Sequence, residues 1–378
     1  ACCWLAGTLG LLCSSPPATT PLITTLAGGG SPVSGNGDGG PATLARLQEP
    51  VALAVDPSGN VFVTERYGFK VRRIDANGII TTVAGNGQQM YDGDGKPATS
   101  AAIDVRGIAV DSAGNLYVSD GTNRRIRKVA PSGVISSLVS NGLIFPTHMA
   151  VSPTGEVHVL DQLKIWKVTS SGALKLVAGT GIYGSAGDGG PATSAQLGNP
   201  SALAFDRAGR LHIVDNNDRV RRIALDGMIS TIAGTGPFRL DPVALNSRIH
   251  SPTGLAVDSQ GNTYVALRNN LVRTVSPAGI IGDAVVRVID SGGMVIGAPS
   301  GFSGDGGPAL DALLYEPEAL AVDTHDNLYI ADTRNHRVRK VTRTPTTRTP
   351  SGLNAFAPQK IYGVGSLVRH VAIGDITG

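Results

Sequence analysis

The sequence predicts an all-β protein, a propeller of six blades, and three observations carry this prediction. The 378 residues include 50 Gly and 23 Pro, which suit short strands joined by tight turns because both residue types interrupt helices. One phrase of strand-like residues recurs six times, and a strand that the last copy lacks stands before the first copy. Such repeats, each forming a small antiparallel sheet, are typical of propellers.

The repeated phrase reads small-apolar-Ala-Val-Asp, a turn, Gly-Asn-apolar-aromatic-Val, a second turn, and then alternating basic and β-branched residues. Residues that alternate in this way, as at 116–119, have the period of two that indicates a strand. Turns such as residues 57–60 (PSGN) supply the positive φ angles that hairpins need. Each copy therefore predicts four antiparallel strands. The six copies begin at Leu53, Ile108, Met149, Leu203, Leu255 and Leu320.

The two ends of the repeat region predict how the ring closes. The sixth copy stops near Val341 without a fourth strand, whereas residues 22–28 (LITTLAG) match fourth strands such as residues 79–85 (IITTVAG). An N-terminal strand that completes the last blade would leave no open sheet edge. We therefore expect a closed propeller over residues 21–343.

At these residues the chain resembles the NHL-repeat family of β-propellers. Residues 335–338 (NHRV) closely match the family's motif, and residues 123–126 (NRRI) are a variant of it. The resemblance implies a six-bladed propeller. Members of the family range from RNA-binding and protein-binding modules to bacterial sensor ectodomains, adhesion proteins and a few metal-dependent lyases, so the fold alone does not decide the function.

The segments that flank the propeller suggest export and a longer extracellular chain. Residues 1–20 hold the three cysteines and a short apolar run; they look like the end of a secretory signal or a disordered terminus, and Cys13 is a candidate for lipid attachment. No stretch has the roughly 18 apolar residues of a membrane helix. Residues 344–359 form a Thr/Pro-rich linker. Residues 360–378 resemble the truncated start of an FG-GAP or VCBS-type repeat, in which Asp375 would be the first ligand of a calcium loop. No other cofactor is expected.

A Gly-Asp-Gly-x-Pro-Ala phrase recurs before four of the blades. Four cation loops are one interpretation, but each phrase offers one or two carboxylates and calcium needs six to eight oxygens. We therefore expect a structural loop in which the Asp caps backbone N–H groups. The four aspartates are Asp38, Asp94, Asp188 and Asp305.

Arginines recur on the third strands and could form a basic belt for nucleic acid. RNA recognition also uses exposed aromatic residues for stacking, and aromatic residues are only 4% of the chain, whose net charge is +3. We expect these arginines to lie on solvated strand faces, with no nucleic-acid partner. They include Arg72, Arg127, Arg221 and Arg339.

One group of residues resembles a binding site. His148 replaces the small residue that the other copies have at the start of the innermost strand, and Arg106 and Glu318 are charged at the neighbouring position. We expect Arg106, His148 and Glu318 to bind a ligand at the mouth of the central channel. No catalytic residue is predicted, because catalytic zinc normally takes three protein ligands and one suitable histidine is present.

The sequence thus predicts a secreted or cell-surface binding or scaffolding module that presents propeller loops to a protein, peptide or glycan. We expect a monomeric propeller within a larger multidomain chain, without enzymatic activity. The alternative is a metal-dependent, lyase-like enzyme with its site at the channel mouth.

Overall fold

The computed structural model describes residues 20–343 except 33–34, 216–217, 236–240, 287–289, 292–293 and 296, and it confirms a six-bladed propeller. Each blade is a separate antiparallel sheet of four strands, with a short fifth strand at the edge of blade 2. The linker at residues 344–359, Asp375 and the first 19 residues lie outside the described residues. Only the backbone is described for residues 290, 291, 294 and 295.

The strands follow the chain from the centre of each blade outward. Blade 1 has β2 (Pro50–Val55), β3 (Val61–Glu65), β4 (Lys70–Ile74) and β5 (Ile80–Ala84). Blade 2 has β7 (Val105–Val110), β8 (Leu116–Asp120), β9 (Arg125–Val129) and β10 (Val134–Val139), with β6 (Lys96–Pro97) at its edge. Blade 3 has β11 (Pro146–Val151), β12 (Val157–Asp161), β13 (Lys164–Val168) and β14 (Leu174–Ala178).

The second half of the ring repeats this order. Blade 4 has β15 (Ala202–Phe205), β16 (Leu211–Asp215), β17 (Arg219–Ile223) and β18 (Ile229–Ala233). Blade 5 has β19 (Pro252–Val257), β20 (Thr263–Leu267), β21 (Leu271–Val275) and β22 (Ile281–Val285), followed by a hairpin of β23 (Asp290–Ser291) and β24 (Met294–Val295). Blade 6 has β25 (Pro317–Val322), β26 (Leu328–Asp332), β27 (Arg337–Thr342) and the N-terminal β1 (Leu22–Gly28).

Helical structure among the described residues is confined to 3-10 turns, and none of these is long or apolar enough to cross a membrane. Five of the six turns lie in the connectors, the segments that lead from the outer strand of one blade to the inner strand of the next. The turns are Ala42–Leu44, Ala98–Ser100, Ala192–Ser194, Ala244–Asn246, Ala309–Asp311 and Thr333–Asn335.

The N-terminal strand closes the ring as the sequence predicted. β1 pairs antiparallel with β27, in a register from Leu22 opposite Thr342 to Gly28 opposite Arg337. The connector before blade 6 binds the same strand, because the Ile23 amide donates to the Gly307 carbonyl at 3.0 Å. Both termini of the propeller therefore belong to one sheet.

The core lies between the blades, where the second strands are covered on both faces. Every residue of these six strands is buried, which explains their β-branched and aliphatic composition. One position in each second strand pairs with an Ala of the inner strand and carries a ring, as expected of packing residues. These rings are Phe62, Tyr117, His158, His212, Tyr264 and Tyr329.

The prediction that the third-strand arginines lie on solvated faces is wrong. Four of them are 0% exposed and belong to an arrangement that we call the arginine clasp. Each clasp joins the third-strand arginine to the Asp of the Gly-Asp-Gly loop and to a buried carboxylate that ends the second strand. The clasps are Asp38–Arg72–Glu65, Asp94–Arg127–Asp120, Asp188–Arg221–Asp215 and Asp305–Arg339–Asp332.

The clasp of blade 4 illustrates the geometry. The Arg221 Nη2 atom lies 2.6 Å from Asp188 Oδ1, and its Nη1 atom donates to the Gln196 carbonyl at 2.7 Å and to Asp215 Oδ2 at 3.4 Å. The Thr231 hydroxyl of the outer strand donates to the second oxygen of Asp188 at 2.5 Å. The loop is structural, as expected, but an arginine rather than a row of backbone N–H groups is the main partner of its Asp.

The buried carboxylate of each clasp also holds the end of the connector. Asp215 Oδ1 accepts the Gly198 amide at 2.6 Å, and Asp332 Oδ1 accepts the Tyr315 amide at 2.8 Å. Burial raises the pKa of Asp332 to about 6, although the Tyr315 amide, Asn335 and Arg339 favour its ionised form. The arginine is therefore needed to compensate a carboxylate that is poorly solvated.

The two blades without the loop phrase differ at the same positions. In blade 3 the third strand carries Trp166 in place of the arginine, opposite Leu176 of the outer strand. In blade 5 Arg273 is retained, and its carboxylate comes from Asp283 of the outer strand, with 3.3 Å between Nε and Oδ1. The arginine thus occurs only where a neighbouring element of the described structure supplies an acid.

We predict that Arg221→Leu lowers the free energy of unfolding by about 3–5 kcal/mol, because it leaves the buried Asp215 without its cation. Denaturant titration measures the change. Lys175→Leu, which also removes a cation but at an exposed strand position, is the matched control and should stay within about 0.5 kcal/mol of the wild type. Equal effects of the two substitutions would contradict the clasp.

Candidate functional site

The three predicted site residues lie at the starts of innermost strands in blades 2, 3 and 6, and each has a different partner. The Arg106 guanidinium binds the Asp104 carboxylate, with 3.0 Å between Nη2 and Oδ1, and lies 5.4 Å from the ring centre of Phe145. Glu318 forms an ion pair with Arg66 of blade 1. No described contact joins Arg106, His148 and Glu318 to one another, so a shared ligand site for them stays a prediction.

His148 is engaged across the boundary between blades 3 and 4. Its Nδ1 accepts the Leu203 amide at 3.2 Å, which leaves the proton of the neutral ring on Nε2 and no free lone pair for a metal. Burial lowers the pKa of His148 to about 4, so the ring is neutral near pH 7. Within the described part of the chain, no group of three or more His, Cys, Asp or Glu side chains could hold a metal ion.

A cavity of about 270 Å³ lies where the innermost strands end, at the opposite end from the predicted site residues. Its wall contains the aspartates of the repeated Ala-Val-Asp phrase together with Arg207. Each aspartate is bound within its own hairpin: Asp111 accepts the side-chain amide of Asn115 at 2.8 Å and the Tyr117 hydroxyl at 3.0 Å. Burial disfavours the ionised form of Asp111, but these hydrogen bonds outweigh burial and lower its pKa.

The other face of the propeller, which we call the connector face, carries the turns between second and third strands and the starts of the inner strands. Among the described residues, every aromatic side chain that is exposed belongs to a connector or to a turn on this face. Tyr67, in the turn between β3 and β4, is 62% exposed. The other four are Tyr91, Tyr183, Phe302 and Tyr315.

A pocket of about 460 Å³ opens at the boundary where blade 6 meets blade 1. We call it the seam pocket, and its volume lies within the range of small-ligand sites. Its polar lining consists of Arg46, Gln48, Glu49, Tyr67, Asn335 and His336.

The charges in the seam pocket are unevenly compensated. Glu49 is buried, and its carboxylate pairs with Arg334 at 2.6 Å and with Arg66 at 3.4 Å. The Glu49 amide donates to His336 Nδ1 at 3.3 Å. Among the described residues, the Arg46 side chain is exposed and has no ion pair. Arg46 is therefore the one charged group of the pocket lining without a partner there.

The strand pattern does not predict this pocket, because its polar lining comes from a connector and from two turns between strands. Alignment of the 3-10 turns places Arg46 opposite Arg248, two residues after Ala42–Leu44 and Ala244–Asn246. The residue before the third strand is Asp218 in blade 4 and His336 in blade 6. That difference, visible in the sequence, is the signal that could have drawn attention to the boundary between blades 6 and 1.

Comparisons with known proteins match the repeat and its fold. A family model for the teneurin NHL domain matches residues 31–92, and a model for the NHL repeat matches residues 314–341. The chain is 29% identical to Teneurin-4 of Mus musculus over 362 residues, which cover 84% of this chain and 11% of that protein. The chain therefore spans about a tenth of the length of this curated relative.

Solved structures share the fold at low sequence identity. An auxiliary nutrient binding protein from Bacteroides ovatus matches with a TM-score of 0.62 and 18% identity, over 85% of this chain and 76% of the other. A virginiamycin B lyase from Staphylococcus aureus matches with a TM-score of 0.50 and 14% identity, over 78% and 95%. Because one fold serves both a binding protein and a lyase, the fold leaves the activity open.

The architecture defines a class: the chain is a six-bladed β-propeller, in which residues 314–341 match the NHL-repeat model. The curated proteins to which it is similar include teneurins, large proteins of which this propeller matches one part.

We predict that the stability of the propeller falls between about pH 6.5 and pH 4 in part because of His212. Burial lowers the pKa of this histidine from 6.5 to about 4, so the unfolded chain binds a proton in this interval that the folded chain does not, and acid favours unfolding. His212→Phe, which copies Phe62 of blade 1, should remove on the order of 3 kcal/mol of this dependence.

Denaturant titrations at several pH values measure the effect. His325→Phe, at an exposed hairpin position, should keep the pH dependence of the wild type. An unchanged slope in His212→Phe would contradict the assignment of a buried neutral imidazole.

Proposed function

We propose that the chain is an extracytoplasmic binding or scaffolding module that uses the connector face to bind a protein, peptide or glycan. The observation that carries the proposal is the concentration of exposed aromatic side chains on this face. Exposed Tyr residues beside Arg are the composition of binding hot spots, because a ring offers a large contact area at a small cost in conformational entropy. No catalytic step is part of this proposal.

Rigidity of the connectors supports the same proposal. The arginine clasps fix four connectors to the blades that follow them, and buried carboxylates hold the ends of these connectors by backbone amides. Loops that are fixed before binding lose little entropy when a partner docks. A rigid scaffold with side chains displayed at one end therefore favours recognition.

The similarity to teneurins supports the location outside the cytoplasm, because these relatives are cell-surface proteins. The chain spans about a tenth of such a relative, so both its location and its partners remain proposals. A propeller that is one part of a long extracellular protein would serve as a binding head or as a spacer.

We predict that the 378-residue chain, displayed as a tetramer, binds saturably to a member of an array of extracellular domains, peptides and glycans. Tyr67→Ala combined with Tyr315→Ala should weaken this binding about tenfold or more, because both side chains lie exposed on the connector face. The matched control is Leu225→Ala combined with Met228→Ala, in the turn between β17 and β18 on the opposite face. Loss of binding in the control, or equal binding by all proteins, would contradict the proposal.

A further inference from the structure

Two corners of the propeller place an arginine at equivalent positions and differ in the side chain that faces it. The first is the boundary between blades 4 and 5, where Arg248 follows a connector 3-10 turn and Asp218 precedes the third strand of blade 4. The second is the boundary between blades 6 and 1, where Arg46 and His336 occupy the same places. Asp218 and His336 have φ angles of 59° and 53°, so the backbone presents both side chains in the same left-handed conformation.

At the first corner, Asp218 binds two groups at once. One carboxylate oxygen accepts the Ser251 amide at 3.1 Å, and the other receives the Arg248 guanidinium, with distances of 2.8 Å from Nε and 2.7 Å from Nη2. Arg248 is therefore held by an internal carboxylate.

At the second corner, His336 accepts a backbone amide but does not pair with the arginine. Its Nδ1 accepts the Glu49 amide at 3.3 Å, the bond equivalent to that of the Ser251 amide. An imidazole has no second acceptor to offer once Nδ1 is used, and the guanidinium of Arg46 has no ion pair among the described residues. The space beside it is the seam pocket of about 460 Å³.

Glu49 does not replace the missing acid. Its carboxylate is already shared by Arg66 and Arg334, and Glu318 and Glu316 pair with the same two arginines. The pocket thus combines an arginine that lacks the carboxylate present at the other corner with the exposed ring of Tyr67.

We infer that the seam pocket binds a carboxylate of a protein partner, an Asp or Glu side chain or a C-terminus, which pairs with Arg46 as Asp218 pairs with Arg248. This inference rests on the proposed function and names the chemistry of its ligand. A protein is favoured over a sugar acid because Tyr315 and Phe302, with Arg334, extend an aromatic and charged surface near the pocket. Such a surface suits the flanking residues of a peptide chain.

The inference is tested with a pair of peptides, acetyl-Gly-Tyr-Glu-Tyr-Gly-amide and its Gln counterpart, titrated into the full chain by calorimetry. We expect the Glu peptide to bind about tenfold more tightly, since an arginine–carboxylate bond replaces a neutral one. Arg46→Gln should abolish the difference between the peptides.

His336→Asp provides a second test that does not depend on removing the arginine. It installs the carboxylate of the first corner, so the new side chain should pair with Arg46, exclude the Glu peptide and leave the melting temperature equal to or above that of the wild type. His336→Asn is the matched control, because it offers an acceptor to the Glu49 amide without a charge and should keep the preference for Glu.

Equal affinity for the two peptides, no saturable binding at millimolar peptide, or wild-type binding by His336→Asp would overturn the inference. Tighter binding of 3′-sialyllactose than of the Glu peptide, with the same dependence on Arg46, would also overturn it in favour of a glycan acid. If the array still binds Arg46→Gln as it binds the wild type, this inference fails while the proposed function stands.

Discussion

A guanidinium can be buried in a protein only if acceptors replace the water that it loses, because desolvation otherwise costs several kcal/mol. The propeller meets this condition four times with the same parts: a loop aspartate, a carboxylate at the end of the second strand and one or two backbone carbonyls. In blade 4 these parts are Asp188, Asp215 and Gln196 around Arg221. Since the parts come from the connector and from two strands, satisfying the arginine also fixes where the connector lies.

This constraint links the interior of the blades to the connector face. In these four blades the carboxylate that faces the arginine also accepts a connector amide, as Asp332 does from Tyr315. The residues that lead into the inner strands of these blades are therefore fixed in place. The exposed rings of Tyr315 and Tyr67 and the seam pocket are displayed on this frame. Asp218 and His336 share a left-handed φ angle, so the exchange of one side chain for the other changes the chemistry of the corner.

Sequence reasoning reached the fold because strand periodicity and the six copies are local signals, and the unmatched strand at residues 22–28 required only one partner, β27. The prediction that Arg221 and its equivalents are solvated was wrong. Alternation shows which face of a strand a side chain occupies, but it does not show whether another element covers that face. The loop that covers it was recognised as a repeat, but its pairing with the arginine spans 33 residues. His148 was correctly placed on the innermost strand, whereas its bond to the Leu203 amide depends on the neighbouring blade.

A double-mutant cycle on Asp188 and Arg221 tests the central claim most directly, with the free energy of unfolding measured for the wild type, Asp188→Asn, Arg221→Met and the double variant. If the clasp joins connector and blade, the two substitutions are coupled by about 0.5–3 kcal/mol, because either one removes the same bond. Additive effects would mean that the loop and the arginine stabilise the propeller independently, and that the clasp does not organise the connector face.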